Sequence, residues 1–284
     1  MHLELLFKAR RTGCVTVTRD ICVSRALMFQ SRHDKSETSI LNRRPMPEAP
    51  TQAVEYCSDL MQRQDEDRWL AARYAPDTLQ NLLTALGAFI LELHRIPGAV
   101  SEPALGEIRL QWWREALDEI RIGKPSRAHP VVEAVDMTGL HRPEHAERVD
   151  GMIDAMTRML YGETFTSAEE LFGWFEQSDG AADAVAVIAA GGDEGLAQAA
   201  SKAGAAFAMV REGAAVAPAL AASIPDHALR IYREAAPTLK SAPSSVVPAM
   251  LHLSLTPIYA RLAGKSFPVR KRLRLFSAMA FSNF

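Results

Sequence analysis

Carboxylates that share one helix face are the first candidates for chemistry in this chain. Acids at i and i+4 point the same way along a helix. Such pairs can hold Mg²⁺ against a phosphate-bearing substrate. Four occur after residue 45: Glu55/Asp59, Glu115/Glu119, Asp150/Asp154 and Asp179/Asp183. Residues 46–264 carry 30 acids, a density at which about four such pairs arise by chance. Each pair therefore reads as a solvated helix face. His141 and His145 also stand four apart, but Pro143 between them marks a helix start, so a surface or capping role is expected rather than a metal site. There is no GxSxG elbow, GxGxxG loop, Walker loop or HExxH. Cys14, Cys22 and Cys57 form no CxxC pair, which argues against a disulfide scaffold or a cysteine-built zinc site and suits a reducing compartment.

The least generic stretch is Glu107-Ile108-Arg109-Leu110-Gln111-Trp112-Trp113-Arg114-Glu115. Adjacent tryptophans on a helix face different directions, one inward and one toward a neighbour. Glu107, Arg114 and Glu115 admit two readings: a buried polar network, or surface ion pairs beside ordinary core packing.

The elements that position these residues are helical. From Glu48 on, apolar residues recur at three- and four-residue steps, clearest in Leu79, Leu82, Leu83, Leu86, Phe89, Ile90 and Leu93. Pro76-Asp77 reads as a helix start. Ile96-Pro97-Gly98 reads as a break or kink, and Ser101 as the cap of the next helix. Further helices are expected at 130–138, 143–161, 167–190, 193–222, 226–236 and 245–263. The Ala-rich stretches suit close helix–helix approach. The expected fold is all-α, a single large helical bundle.

The composition of the 284 residues is ordinary for a globular chain, with 48% hydrophobic and 23% charged residues. No apolar run reaches the ~18–20 residues of a membrane-spanning helix. The net charge of −2 is unevenly spread. Residues 1–45 carry nine Lys/Arg against four acids, 265–284 carry five bases and no acid, and the body is strongly acidic. An acidic body argues against a nucleic-acid partner. Residues 1–45 are read as a basic leader or extension, disordered or artefactual, with a transit peptide as one alternative. In the last segment, Val269, Leu273, Phe276 and Ala280 make one apolar helical face, beside Arg270, Lys271, Arg272 and Arg274. Such a basic amphipathic tail suits a membrane surface or anionic lipid. The alternatives are a solvated tail, or a last helix docked by charge on the acidic body.

Asp67-Arg68-Trp69-Leu70, Leu86-Gly87-Ala88-Phe89 and above all the stretch from Val100 to Leu117, with Glu102, Glu107, Arg109, Gln111, Trp112 and Arg114, resemble the squalene/phytoene synthase superfamily. The similarity is closest to the non-classical branch, which includes a mitochondrial complex I assembly factor related to phytoene synthase. It runs more weakly through Gly180 and Gly204, over roughly residues 55–262. The resemblance implies an isoprenoid-synthase bundle over 46–264. The active members of the family that this chain resembles join two prenyl diphosphates head to head, with two aspartate-rich motifs holding Mg²⁺ against the leaving groups. The first motif would follow Ala88-Phe89, where this chain has His94 and Arg95. The second would follow Gly204, where it has Arg211 and Glu212.

Two functions follow. One is a non-catalytic assembly or lipid-binding factor with no cofactor, meeting a respiratory-complex subunit at a membrane. The other is a prenyltransferase that binds prenyl diphosphate and Mg²⁺ through substitute ligands Glu92, Glu102 and Glu107. The location expected is cytoplasmic at the inner face of a membrane, or mitochondrial if the leader is a transit peptide.

Overall fold

In the computed structural model of the protein, which describes residues 52–262, 268–282 and 284, the regular elements are all helical. Thirteen α-helices are described: α1 Gln52–Gln64, α2 Glu66–Ala72, α3 Asp77–Gly98, α4 Pro103–Arg121, α5 Pro130–Thr138, α6 Pro143–Leu160, α7 Ala168–Phe175, α8 Ala181–Ala189, α9 Glu194–Val216, α10 Ile224–Lys240, α11 Val247–Met250, α12 Thr256–Arg261 and α13 Pro268–Phe281. The expectations for residues 1–45 lie outside the described residues.

The long helices form where the sequence periodicity puts them. On α3, Leu83, Leu86, Phe89, Ile90 and Leu93 all turn inward. On α9 the buried face is built from small residues, Ala197, Ala200, Ala203, Gly204 and Ala208. Small residues let α8 and α10 approach α9 closely. At Gly180, at the head of α8, a Cβ would stand 2.5 Å from the Ser201 carbonyl oxygen. The deepest side chains include Phe89, Phe175, Phe207, Leu117 and Met152. Trp113 is buried edge-on against Phe89 at 5.4 Å, while Trp112 is only partly covered.

Several boundaries differ from the sequence reading. Proline 97 sits in the last turn of α3, and the helix ends at Gly98. Helix α4 is capped at Glu102 with Pro103 first, so Ser101 is not its cap. The stretch 167–190 is not one α-helix, because a π-helical turn, Glu176–Gly180, interrupts it between α7 and α8. Helix α9 ends at Val216, two residues before Pro218. Helix α10 runs to Lys240 through Pro237. The stretch 245–263 is divided into α11, a 3₁₀ turn at Leu251–Leu255, and α12. Short α2 follows Asp65, whose carboxylate accepts from the Arg68 backbone N–H. Residue His145 is buried on α6 and not at the surface.

The terminal helix packs back on the body. Leu275 and Ala278 of α13 are buried, and Arg274 Nε donates to the Ser254 carbonyl at 3.1 Å. Lys271 and Arg272 meet Glu66 and Lys271 reaches Asp67, so one face of the helix is docked by charge on the acidic body and the tail is not simply solvated.

Candidate functional site

At the centre of the bundle, charged groups from seven elements meet. Asp65, Asp67, Asp179 and Asp183 are each 4% exposed or less. Arg68 of α2 reaches three of them: Nη1 donates to Asp65 Oδ2 at 3.0 Å and to Asp179 Oδ1 at 3.1 Å, and Nη2 to Asp183 Oδ2 at 3.3 Å. Arg211 of α9 donates to Asp65 Oδ1 at 2.7 Å. His94 Nε2 lies 3.3 Å from Asp179, and His252 Nε2 3.0 Å from Asp183. Asp67 takes the Tyr259 hydroxyl and, at 2.6 Å, Lys271 Nζ from α13. Phe207 forms an aromatic wall, with the Arg211 and Arg68 guanidiniums 5.1 and 5.8 Å from its ring centre.

The local sequence explains how these groups reach the centre. Asp65 works twice, as the cap of α2 and as a ligand to two guanidiniums. The π-helical turn adds a residue to one turn, and Asp179 within it and Asp183 one α-helical turn later both face inward. Gly204 leaves the space for Asp183: a Cβ there would stand 2.0 Å from Asp183 Oδ2.

The electrostatics show how tightly the charges are matched. Burial would raise the Asp65 carboxyl, but Arg211 and Arg68 outweigh it and hold Asp65 well below the usual carboxylate range. Burial likewise opposes ionisation of Asp179, and His94 and Arg68 overcome it, lowering Asp179 to about 2. Burial disfavours imidazolium at His94, yet Asp179 overrides it and raises the His94 pKa. The cavity beside this network, between Arg68, Gly87, Ala182 and His252, has a volume of about 20 Å³, room for roughly one water.

These residues do not fit a Mg²⁺–diphosphate site. Where the resemblance calls for aspartates stand His94, paired to Asp179, exposed Arg95, and the Arg211–Glu212 pair. The carboxylates that are present already bind guanidinium, imidazole or ammonium groups. Among the described residues, no group of three or more His, Cys, Asp or Glu is placed to hold a metal ion.

The residues singled out from sequence lie elsewhere. Glu92, bonded to Arg95 at 2.8 Å, lines a surface groove with Arg109, Trp112, Trp113 and His129. Glu102 is exposed at the start of α4. Glu107 accepts from the Tyr161 hydroxyl at 2.6 Å. The structure therefore does not bring Glu92, Glu102 and Glu107 together. Arg109 donates to the Ala99 carbonyl, Gln111 to Glu115, and Arg114 to Asp154 at 2.5 Å, all near the surface. The polar residues of α4 thus form surface pairs beside a buried Trp113, not a buried network. The tail bases divide: Lys271 and Arg272 meet Glu66, Lys271 also reaches Asp67, Arg274 meets Ser254, and Arg270 lies in an open groove.

Of the four acid pairs, Asp179/Asp183 corrects the sequence reading, because both members are buried in the central network. The other three lie at the surface, with Glu115 and Glu119 on Arg127, Asp150 on Arg121 and Asp154 on Arg114. Gly180 beside Asp179 does not mark the pair by itself, because Gly151 stands in the same way beside Asp150 of a surface pair and has open space around it. Asp65, which terminates the first helical pattern, had no signal of burial.

The family profile for squalene/phytoene synthase matches residues 61–217. The mouse protein NADH dehydrogenase (ubiquinone) complex I, assembly factor 6 is 26% identical over 125 residues, covering 44% of this chain and 37% of that protein. Its rat counterpart is 33% identical over 70 residues, covering 25% of this chain and 21% of the relative. The chain thus spans little more than a third of the length of these relatives at most. Among solved structures, a dehydrosqualene synthase in complex with ligand superposes with a TM-score of 0.63 at 13% identity, over 81% of this chain and 96% of that one. That likeness establishes the isoprenoid-synthase fold.

Proposed function

The chain belongs to the squalene/phytoene synthase family, and from that premise we propose that it is a non-catalytic member, an assembly factor for respiratory complex I working peripherally at a membrane. The observation that carries the reading is the central network. Ionising an allylic diphosphate requires concentrated positive charge around a leaving group. Here the buried carboxylates and cations neutralise one another instead. A diphosphate drawing Arg68 and Arg211 to itself would strip buried Asp65 of both its guanidiniums and leave Asp179 and Asp183 to His94 and His252 alone. The adjoining cavity of about 20 Å³ compares with roughly 300–1,000 Å³ for a small-molecule pocket. The assembly role is supported by the mouse and rat relatives, both named as complex I assembly factors. The corresponding place is the inner face of a membrane, reached from the cytoplasm, or within the mitochondrion where residues 1–45 act as a transit peptide.

Purified protein incubated with farnesyl or geranylgeranyl diphosphate and Mg²⁺ should yield no squalene- or phytoene-type hydrocarbon and no cyclopropyl diphosphate. A Mg²⁺-dependent product would overturn the reading in favour of a head-to-head prenyltransferase. In a host with the gene deleted, assembled complex I should fall and return when the gene is restored.

A further inference from the structure

The tail helix has two faces with different fates. One is consumed internally, through Leu275, Ala278 and the Lys271 contact to buried Asp67. The other carries Val269, Leu273 and Phe276 at 68, 63 and 62% exposure, and Phe281 at the end of the helix is 77% exposed. Three large apolar side chains on one face of a short helix, with a fourth at its end, are more than the scattered single ones that would need no explanation. Beside them, α12 and α13 enclose a groove of about 430 Å³ lined by Pro257, Ile258, Arg261, Leu262, Arg270 and Leu273. Among the described residues, two arginines and no acid line it. The neighbouring acid, Glu66, is already engaged by Lys271 and Arg272.

We infer that the outward face of α13, with the groove it shares with α12, docks on an anionic membrane surface: Arg261 and Arg270 meet lipid phosphates while Val269, Leu273, Phe276 and Phe281 enter the headgroup–acyl boundary. The inference rests on the peripheral-membrane part of the proposed function and names its surface and its lipid. Apolar anchors flanked by arginines are the chemistry of an interfacial helix. An isolated helix of 14 residues is marginal in water. Here the buried contacts hold it folded beforehand, so binding does not bear the cost of ordering it. Charge selects this occupant over a second copy, because two such faces brought together would oppose like charges at Arg261 and Arg270.

The test is flotation of the full chain with phosphatidylcholine vesicles, with and without phosphatidylglycerol, at low and high salt. Binding should appear with phosphatidylglycerol and weaken with salt. The double variant Arg261→Gln/Arg270→Gln should lose about fivefold in partitioning per arginine. Leu273→Gln/Phe276→Gln should lower the binding that survives in high salt. Both pairs are at the surface, and an unchanged thermal transition confirms that each variant is folded. Residues 1–45 stay in place throughout, so their bases contribute equally to every sample. Inorganic phosphate should displace the protein no more than sodium chloride at the same ionic strength; greater displacement would make this a free-phosphate site and overturn the inference. Binding indifferent to lipid charge, binding retained in both double variants, or an apolar-dependent dimer in place of vesicle binding would overturn it as well. Restoration of complex I in the deletion host separates the two readings. Variants that restore assembly without binding vesicles sink only the docking face, and vesicle binding with no role in assembly sinks only the assembly reading.

Discussion

Arg68 holds three buried carboxylates with one guanidinium, a geometry suited to a planar fork of donors and not to a lysine ammonium. Removing one member of a buried ion network leaves the others uncompensated, at a cost of about 3–5 kcal/mol. Arg68→Leu should therefore lower unfolding stability by that amount, read from urea titration, and Arg68→Lys should recover only part of it. The pair His94–Asp179 sets a pH dependence. Asp179 is lowered from 3.8 to about 2, so its contribution is present above 3.8 and fades as pH falls toward 2. His94 is raised above 6.5, so its contribution is complete below 6.5 and is lost as pH rises through the higher folded value. Melting temperature measured against pH should decline on both sides of this window, and His94→Gln should flatten the decline on the alkaline side. A wild-type profile that stays level above 6.5 would contradict the pairing.

At the scale of elements, α9 and the π-helical turn before α8 bring the charges together. Gly204→Ala would place a methyl group 2.0 Å from Asp183 Oδ2, forcing the carboxylate away from Arg68 and His252. A loss of about 1–3 kcal/mol is expected, larger than for Gly151→Ala on α6, where a Cβ meets nothing within 4 Å. Chemical denaturation of the two variants side by side makes the comparison. On α4 the two tryptophans should separate in the same way. Trp113→Ala empties a buried site against Phe89 and should cost about 3–5 kcal/mol. Trp112 stacks under Arg127 at 5.2 Å and is partly exposed, so Trp112→Ala should cost less. Equal losses at the two positions would mean that α4 is turned otherwise.

Across the whole unit from Glu48 to Phe284, the last helix completes the centre. Lys271 closes onto Asp67, 204 positions earlier in the chain, and Tyr259 and Arg211 approach the same carboxylate. Burial would lower the Lys271 pKa, but Asp67 and Glu66 raise it above the ordinary lysine value, so the ammonium stays charged through neutral pH. Lys271→Met should destabilise the body itself by about 3 kcal/mol, and adding Asp67→Asn should restore much of the loss, as a double-mutant cycle would show. For the same reason, deleting the tail would confound any membrane assay with loss of stability. Point substitutions on its outward face avoid this.

The sequence alone determined the helical class, the approximate span of most long helices, the family-specific stretch around Trp112 and Trp113, and the apolar face at Val269, Leu273, Phe276 and Ala280. Each rests on local spacing, and a 3.6-residue period is visible within a few turns of one segment. The resemblance also implied that His94 and Arg95, and a stretch after Gly204 whose one acid is Glu212, stand where the family's aspartate motifs would be. Only the tertiary structure decided what replaces the missing motifs. Asp179 and Asp183 have the same spacing as acid pairs that lie on the surface, and nothing local tells them apart. Their burial depends on Arg68, more than a hundred residues away in the chain, and on a glycine in a third helix. Partnership between distant charges is a property of the packed bundle, because a buried carboxylate is tolerable only where folding has already delivered its cation.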